Sequence, residues 1–170
     1  TRSEELNFGA FTVSIPPNRA PGVIAYPKGQ PDPGRQFLMR SARMFDHPSA
    51  FTAALARDIA ARPRGKRAAV VFVHGFNTNF AEGLYRSAQL AHDFGIEGVA
   101  VHYSWPSAAS PFGYGHDRDS ALFARRGFAE LLEALIAARP DELLIVAHSM
   151  GGLLTMETLR HMALAKPGRV

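Results

Sequence analysis

The chain has 170 residues, 46% of them hydrophobic and 20% charged, with a net charge of +4 and no cysteine. That length and apolar content suit one globular domain with a sizeable core and exclude a disordered polyelectrolyte. The missing cysteines exclude disulfides and thiolate metal sites and leave the compartment open.

The densest basic cluster is Arg57, Arg62, Arg64, Lys66 and Arg67, with no aromatics interleaved, which fits a solvated helix end and loop and not a nucleic-acid groove. No apolar run approaches the roughly 20 residues that span a bilayer, and the N-terminus lacks the basic-then-apolar pattern of a signal peptide. The expected product is soluble. Because the chain opens on Thr1 and not Met, an upstream segment is expected to have been removed or to lie out of view, and the compartment stays open between cytoplasmic and exported.

In chain order, residues 1–46 read as an irregular β-rich lead-in with strand candidates at Phe11–Ile15 and Gln36–Met39 around a Pro/Gly-rich stretch from Pro16 to Gly34. Pro48 suits the first turn of a helix in which Phe51, Ala54, Leu55 and Ile59 share one face before Pro63. Ala68 to Val73 is a wholly apolar strand. After it, Asn79 and Glu82 form a capping box, Phe80, Leu84, Ala88 and Ala91 make an apolar stripe, and Gly95 is the stop. Gly98 to Tyr103 is the second core strand. A helix over about 119–138 places Phe128, Leu131, Leu132, Leu135 and Ile136 inward and Arg125, Arg126, Glu130 and Glu133 outward, with Pro140 closing it. Leu143 to Val146 is the third apolar strand, and a last helix runs to about Ala165. Three apolar strands alternating with amphipathic helices predict an α/β fold, a mostly parallel sheet with helices on both faces and right-handed crossovers. In such sheets sites form at the carboxyl ends of strands, where His74, Tyr103 and Ser149 fall.

Ser149 lies in Ala147-His148-Ser149-Met150-Gly151 on the predicted strand-to-helix turn, the context of a nucleophile elbow. Small residues two before and two after the serine let strand and helix approach, and Ala147 and Gly151 supply them, Ala147 where the usual pattern has glycine. The alternative role for Ser149 is a helix N-cap with no chemistry. Hydrolases with such an elbow take one oxyanion N–H from the loop after an earlier strand and one from the residue after the nucleophile. With His74-Gly75-Phe76-Asn77 as that loop, the donors are the amides of Phe76 and Met150.

Val13-Ser14-Ile15-Pro16, Val73 to Thr78, Ser104-Trp105-Pro106-Ser107, Tyr114 and Asp117 with Ser120-Ala121, and Ala147 to Gly151, in that order and spacing, resemble the α/β-hydrolase superfamily, and within it a bacterial esterase/lipase-like family catalogued as a domain of unknown function. The resemblance implies a serine nucleophile at Ser149, an oxyanion loop at His74 to Asn77 and a structural role for His74. Hydrolases of this fold present Ser, then Asp or Glu, then His. Only 21 residues follow Ser149, so the acid and the base are expected after Val170, with C-terminal strands of the fold missing and residues 1–170 forming the N-terminal part of a single domain. An exposed sheet edge is then expected at Leu143 to Ala147, open to pairing with another chain. Within the chain, His102 and His116 are the candidates for a rearranged base, and His148, beside the nucleophile, should point away from it. Trp105, Phe112 and Tyr114 either line an acyl or aromatic pocket or pack a long loop on its scaffold, and Asp117 or Asp119 suits a cap of the following helix.

The sequence therefore predicts a serine hydrolase acting on a carboxylic ester or related acyl substrate, with no cofactor, no metal cluster and no nucleic-acid partner. The competing readings are an acyltransferase using the same parts and a scaffold that only binds a partner.

Overall fold

The computed structural model describes residues 5–110 and 112–165. Strands β1 (Phe8–Ser14) and β2 (Leu38–Phe45) form an antiparallel ribbon with an irregularity between Thr12 and Val13. Helix α1 (Pro48–Ala60) follows, then β3 (Ala68–Val73), α2 (Phe80–Asp93), β4 (Val99–Tyr103), α3 (Tyr114–Phe123), α4 (Arg125–Ala137), β5 (Glu142–Ala147) and α5 (Met150–Ala165). The three apolar strands form a parallel sheet in the order β4-β3-β5, which makes the fold α/β.

β3 is central because its six residues are apolar on both faces. Ala69, Val71 and Val73 meet Leu55 and Ile59 of α1, Phe128, Leu131 and Leu135 of α4, and Leu154 of α5. The alternate residues Val70 and Phe72 are buried on the other face, where Phe72 stacks on His102 of β4.

Several elements depart from the sequence expectation. β1 begins three residues earlier than the candidate at Phe11, and the second strand is Leu38–Phe45 rather than Gln36–Met39, because the antiparallel register Phe8↔Phe45 to Ser14↔Leu38 decides both ends. The helix expected over 119–138 is two helices joined at Ala124, whose carbonyl accepts the Tyr103 hydroxyl at 2.8 Å. Ile136 is 53% exposed and not inward, while Phe128, Leu131, Leu132 and Leu135 are buried. In α2 the buried residues are Gly83, Tyr85, Ser87 and Gln89, not the stripe begun by Phe80, because the segment before β2 lies over this helix. There Phe37 and Tyr26 pack on Tyr85, Arg19 forms an ion pair with Asp93, and the Gly22 amide donates to Asp93 at 2.7 Å. The basic cluster ends α1: Arg67 donates to the Arg62 and Ala60 carbonyls, and Lys66 pairs with Glu97.

Candidate active site

Two loops meet at the carboxyl ends of β3 and β5. The strands run in register to Val73↔Ala147, and the His148 amide extends the pairing by donating to the Val73 carbonyl at 3.1 Å. The chain then turns at Ser149, whose φ of +52° lies in the left-handed region that costs a non-glycine residue about 1 kcal/mol or more. Met150 opens α5, so its N–H is one of the first-turn donors with no partner inside the helix.

Two glycines let the loops touch. A Cβ on Gly151 would stand 2.5 Å from the His74 carbonyl oxygen and 2.6 Å from that of Val73, so α5 reaches β3 only if this position carries no side chain. A Cβ on Gly75 would stand 2.6 Å from His148 Nδ1 and 3.2 Å from Ser149 Cβ. The loop after β3 thus lies directly against the serine, with Gly75 buried and Ser149 exposed.

His74 is buried and both ring nitrogens are engaged. Nδ1 donates to the Gly75 carbonyl at 2.9 Å, which leaves Nε2 as the acceptor of the Trp105 amide at 3.1 Å. The Trp105 indole donates in turn to the His74 carbonyl at 2.8 Å and stacks on the imidazole, with 4.8 Å between ring centroids. Burial pushes the ring's pKa below its ordinary value, against the opposing pull of the Gly75 and Trp105 backbone bonds. His74 is therefore a neutral structural pin and has no free nitrogen for a proton.

Asp117 is not a helix cap, contrary to the sequence expectation. It lies inside the first turn of α3, fully buried, and its carboxylate accepts from Ser107 Oγ and the Ala108 amide, each at 2.5 Å, and from the Asn77 amide at 3.3 Å. Burial raises its pKa, but the hydrogen bonds from Ser107, Ala108, Asn77 and His116 outweigh that and hold the carboxyl below its usual range. Asp119 is exposed. The signal that identifies Asp117 is helical spacing: Asp117, Ser120 and Ala121 stand at i, i+3 and i+4 and form the buried face of α3.

Residues 47–169 match the model of the family described as alpha/beta hydrolase of unknown function (DUF900). The chain belongs to this family. Comparison with curated proteins and with solved structures gave no match. The span matched to the alpha/beta hydrolase family opens at α1 and takes in both the loop after β3 and the turn at Ser149, while the β1–β2 ribbon lies outside it.

The remaining candidates of this alpha/beta hydrolase chain separate clearly. Tyr103 turns into the core and bonds Ala124. Trp105 is buried on His74, yet its loop borders a groove of about 670 Å³ shared with Phe11, Phe80, Tyr103, Pro106 and Phe123, which does not include Ser149. Phe112 is 99% exposed, and Tyr114 packs edge-on against Phe76 at 5.6 Å.

His102 sits on β4, with β3 between it and β5, which sets its backbone about 10 Å from the serine's strand. Its ring lies against Gly83 and Phe72, and its Nε2 is buried without a partner. Burial pushes its pKa down to about 3, and the neighbouring His74 ring, which would repel a second imidazolium, is the lesser cause. Neither position nor proton affinity suits it as a base for Ser149. His116 faces Asp117 and Ser120, each at 3.4 Å. Among the described residues no histidine is hydrogen-bonded to Ser149 Oγ, and no group of three or more His, Asp or Glu side chains is placed to hold a metal ion.

Proposed function

We propose that this chain carries the nucleophile and oxyanion loop of a serine hydrolase that cleaves a carboxylic ester or related acyl compound. Ser149 Oγ attacks the carbonyl carbon while a base takes its proton. The oxyanion of the tetrahedral adduct is held by the N–H groups of Phe76 and Met150. The adduct expels the alcohol, which receives that proton, and water then releases the acid from the acyl-serine. Transfer of the acyl group to an acceptor other than water would use the same parts.

The observation that carries this reading is the left-handed Ser149, held on an exposed turn against Gly75 and Gly151. A serine that served only as an N-cap would take the extended backbone usual for that position and avoid the strain. His74 supports the reading as well, since its locked ring fixes the Gly75 carbonyl and so the course of the loop into Phe76. With His74 saturated and His102 across β3, the reading takes its base from a histidine later in the chain order of the superfamily, and continues the sheet with further strands on the open side of β5.

A fluorophosphonate probe tests it. Wild type should be labelled covalently at Ser149 and should hydrolyse a short-chain p-nitrophenyl ester. Ser149→Ala should lose the label and about 10⁴–10⁶-fold in turnover while keeping its circular dichroism spectrum. Equal labelling of wild type and variant would remove Ser149 from the nucleophile's role.

A further inference from the structure

The loop from Gly75 to Asn79 has few bonds of its own. Thr78 Oγ1 donates to the Phe76 carbonyl at 3.2 Å, and Asn77 stands exposed at a left-handed φ of +54°. What fixes the loop comes from outside. The Asn77 amide donates to Asp117 Oδ2, and the next amide, that of Thr78, donates to Ser107 Oγ at 3.3 Å. Ser107 closes the triangle by donating its own proton to Asp117 Oδ2, and its Oγ also accepts the Ala109 amide at 3.1 Å. One buried carboxylate thus joins the loop after β3, the loop after β4 and the first turn of α3.

We infer that Asp117 is the positioning residue for the oxyanion loop, acting directly on Asn77 and through Ser107 on Thr78, so that it governs where the Phe76 N–H points; this deepens the serine-hydrolase reading above and rests on it. The donor set requires a carboxylate. Two backbone amides and a hydroxyl converge on its two oxygens, with His116 beside Oδ1. An Asn at 117 would turn an NH₂ toward at least one donor and lose that bond. The position within the first turn of α3 favours a negative charge, and a buried carboxylate persists only where such donors replace its water. Its charge has the wrong sign to stabilise an oxyanion, so the benefit of Asp117 to the reaction is geometric and must outweigh its field.

That opposition makes the role testable. In the full chain, Asp117→Asn, Ser107→Ala and the exposed control Asp119→Asn are compared by kcat and KM for a short-chain p-nitrophenyl ester and by amide hydrogen exchange over residues 75–79. A misplacement of about 1 Å is enough to cost a hundredfold, so kcat should fall about 10- to 100-fold in Asp117→Asn, with KM changed by less than about twofold. Exchange at Asn77 and Thr78 should quicken in both site variants and stay unchanged in Asp119→Asn. An unchanged or faster kcat in Asp117→Asn overturns the proposal, and so does a slower one with loop exchange unaltered. Where Asp117→Asn fails to fold, Ser107→Ala decides by the same two readouts. A wild type that neither turns over the ester nor takes the fluorophosphonate label would end the hydrolase reading, while the exchange comparison would still decide whether Asp117 pins the loop.

Discussion

At the scale of single residues, Gly151 shows how closely α5 is set against β3. The two atoms a Cβ would meet there are backbone carbonyl oxygens, which cannot swing aside as a side chain could. Gly151→Ala should therefore lower stability by about 1–3 kcal/mol, the range for overpacking a tight contact, and should displace the Ser149 turn. Chemical denaturation would measure it. A variant as stable as wild type would mean that the turn has slack that this geometry does not show.

His102 has a different kind of cost, its orphaned Nε2 and its depressed pKa. The unfolded chain binds a proton near the ordinary value of 6.5, the folded one only near 3. Between those values the unfolded state holds more protons, so the contribution of the neutral ring to stability is complete above pH 6.5 and is lost as pH falls toward 3. The slope is at most about 1.4 kcal/mol per pH unit, and His74, also lowered by burial, acts in the same direction. His102→Phe should flatten the decline of the midpoint of urea unfolding between pH 6.5 and pH 4, whatever it does at pH 8. A slope identical to wild type would show that His102 is not a source of acid sensitivity.

At the scale of elements, what the sequence makes legible is whatever depends on local pattern. The capping box is present in both halves, Glu82 N to Asn79 Oδ1 at 3.0 Å and Asn79 N to the Glu82 carboxylate at 2.8 Å, and Gly95 takes φ +59° at the end of α2 as the stop signal implies. The apolar runs at Ala68, Val99 and Leu143 are strands, and the first of them, buried on both faces, is the central one. What depends on distant partners was not legible. The buried Tyr85 and Gln89 follow from the segment that crosses α2 and brings Arg19 to Asp93, a pairing 74 residues apart. The break at Ala124 has no local signal either, and its carbonyl takes both the Phe128 amide and the Tyr103 hydroxyl from 21 residues away. In the site, the need for a small residue at Gly151 could be read from spacing, whereas the contact of Gly75 with Ser149 could not, and Asp117 reads as a cap because its partners lie 9 to 40 residues away.

At the scale of the whole molecule, β5 is an edge strand with one apolar face left half-covered. It closes one side of the three-stranded sheet, so one row of its backbone N–H and C=O groups has no strand partner among the described residues. Leu144 and Val146, on the face away from α1 and α4, are 44% and 45% exposed, although Leu143, Ile145 and Ala147 are drawn into the core. An apolar edge strand of this length is a template for pairing with another chain, and natural edges avoid this with inward or flanking charges, whereas β5 has Asp141 and Glu142 at its start and no charge from Leu143 to Ala147. The polypeptide of residues 1–170 should therefore self-associate through β5, eluting from size exclusion at a volume that falls as concentration rises. Val146→Lys, which sets a charge on the exposed face of that edge, should move the population toward monomer, whereas Ile136→Lys, a charge of the same sign on the exposed side of α4, should leave it associated. A monomer at every concentration, or equal dissociation by the two lysines, would show that β5 is not the surface through which the chains meet.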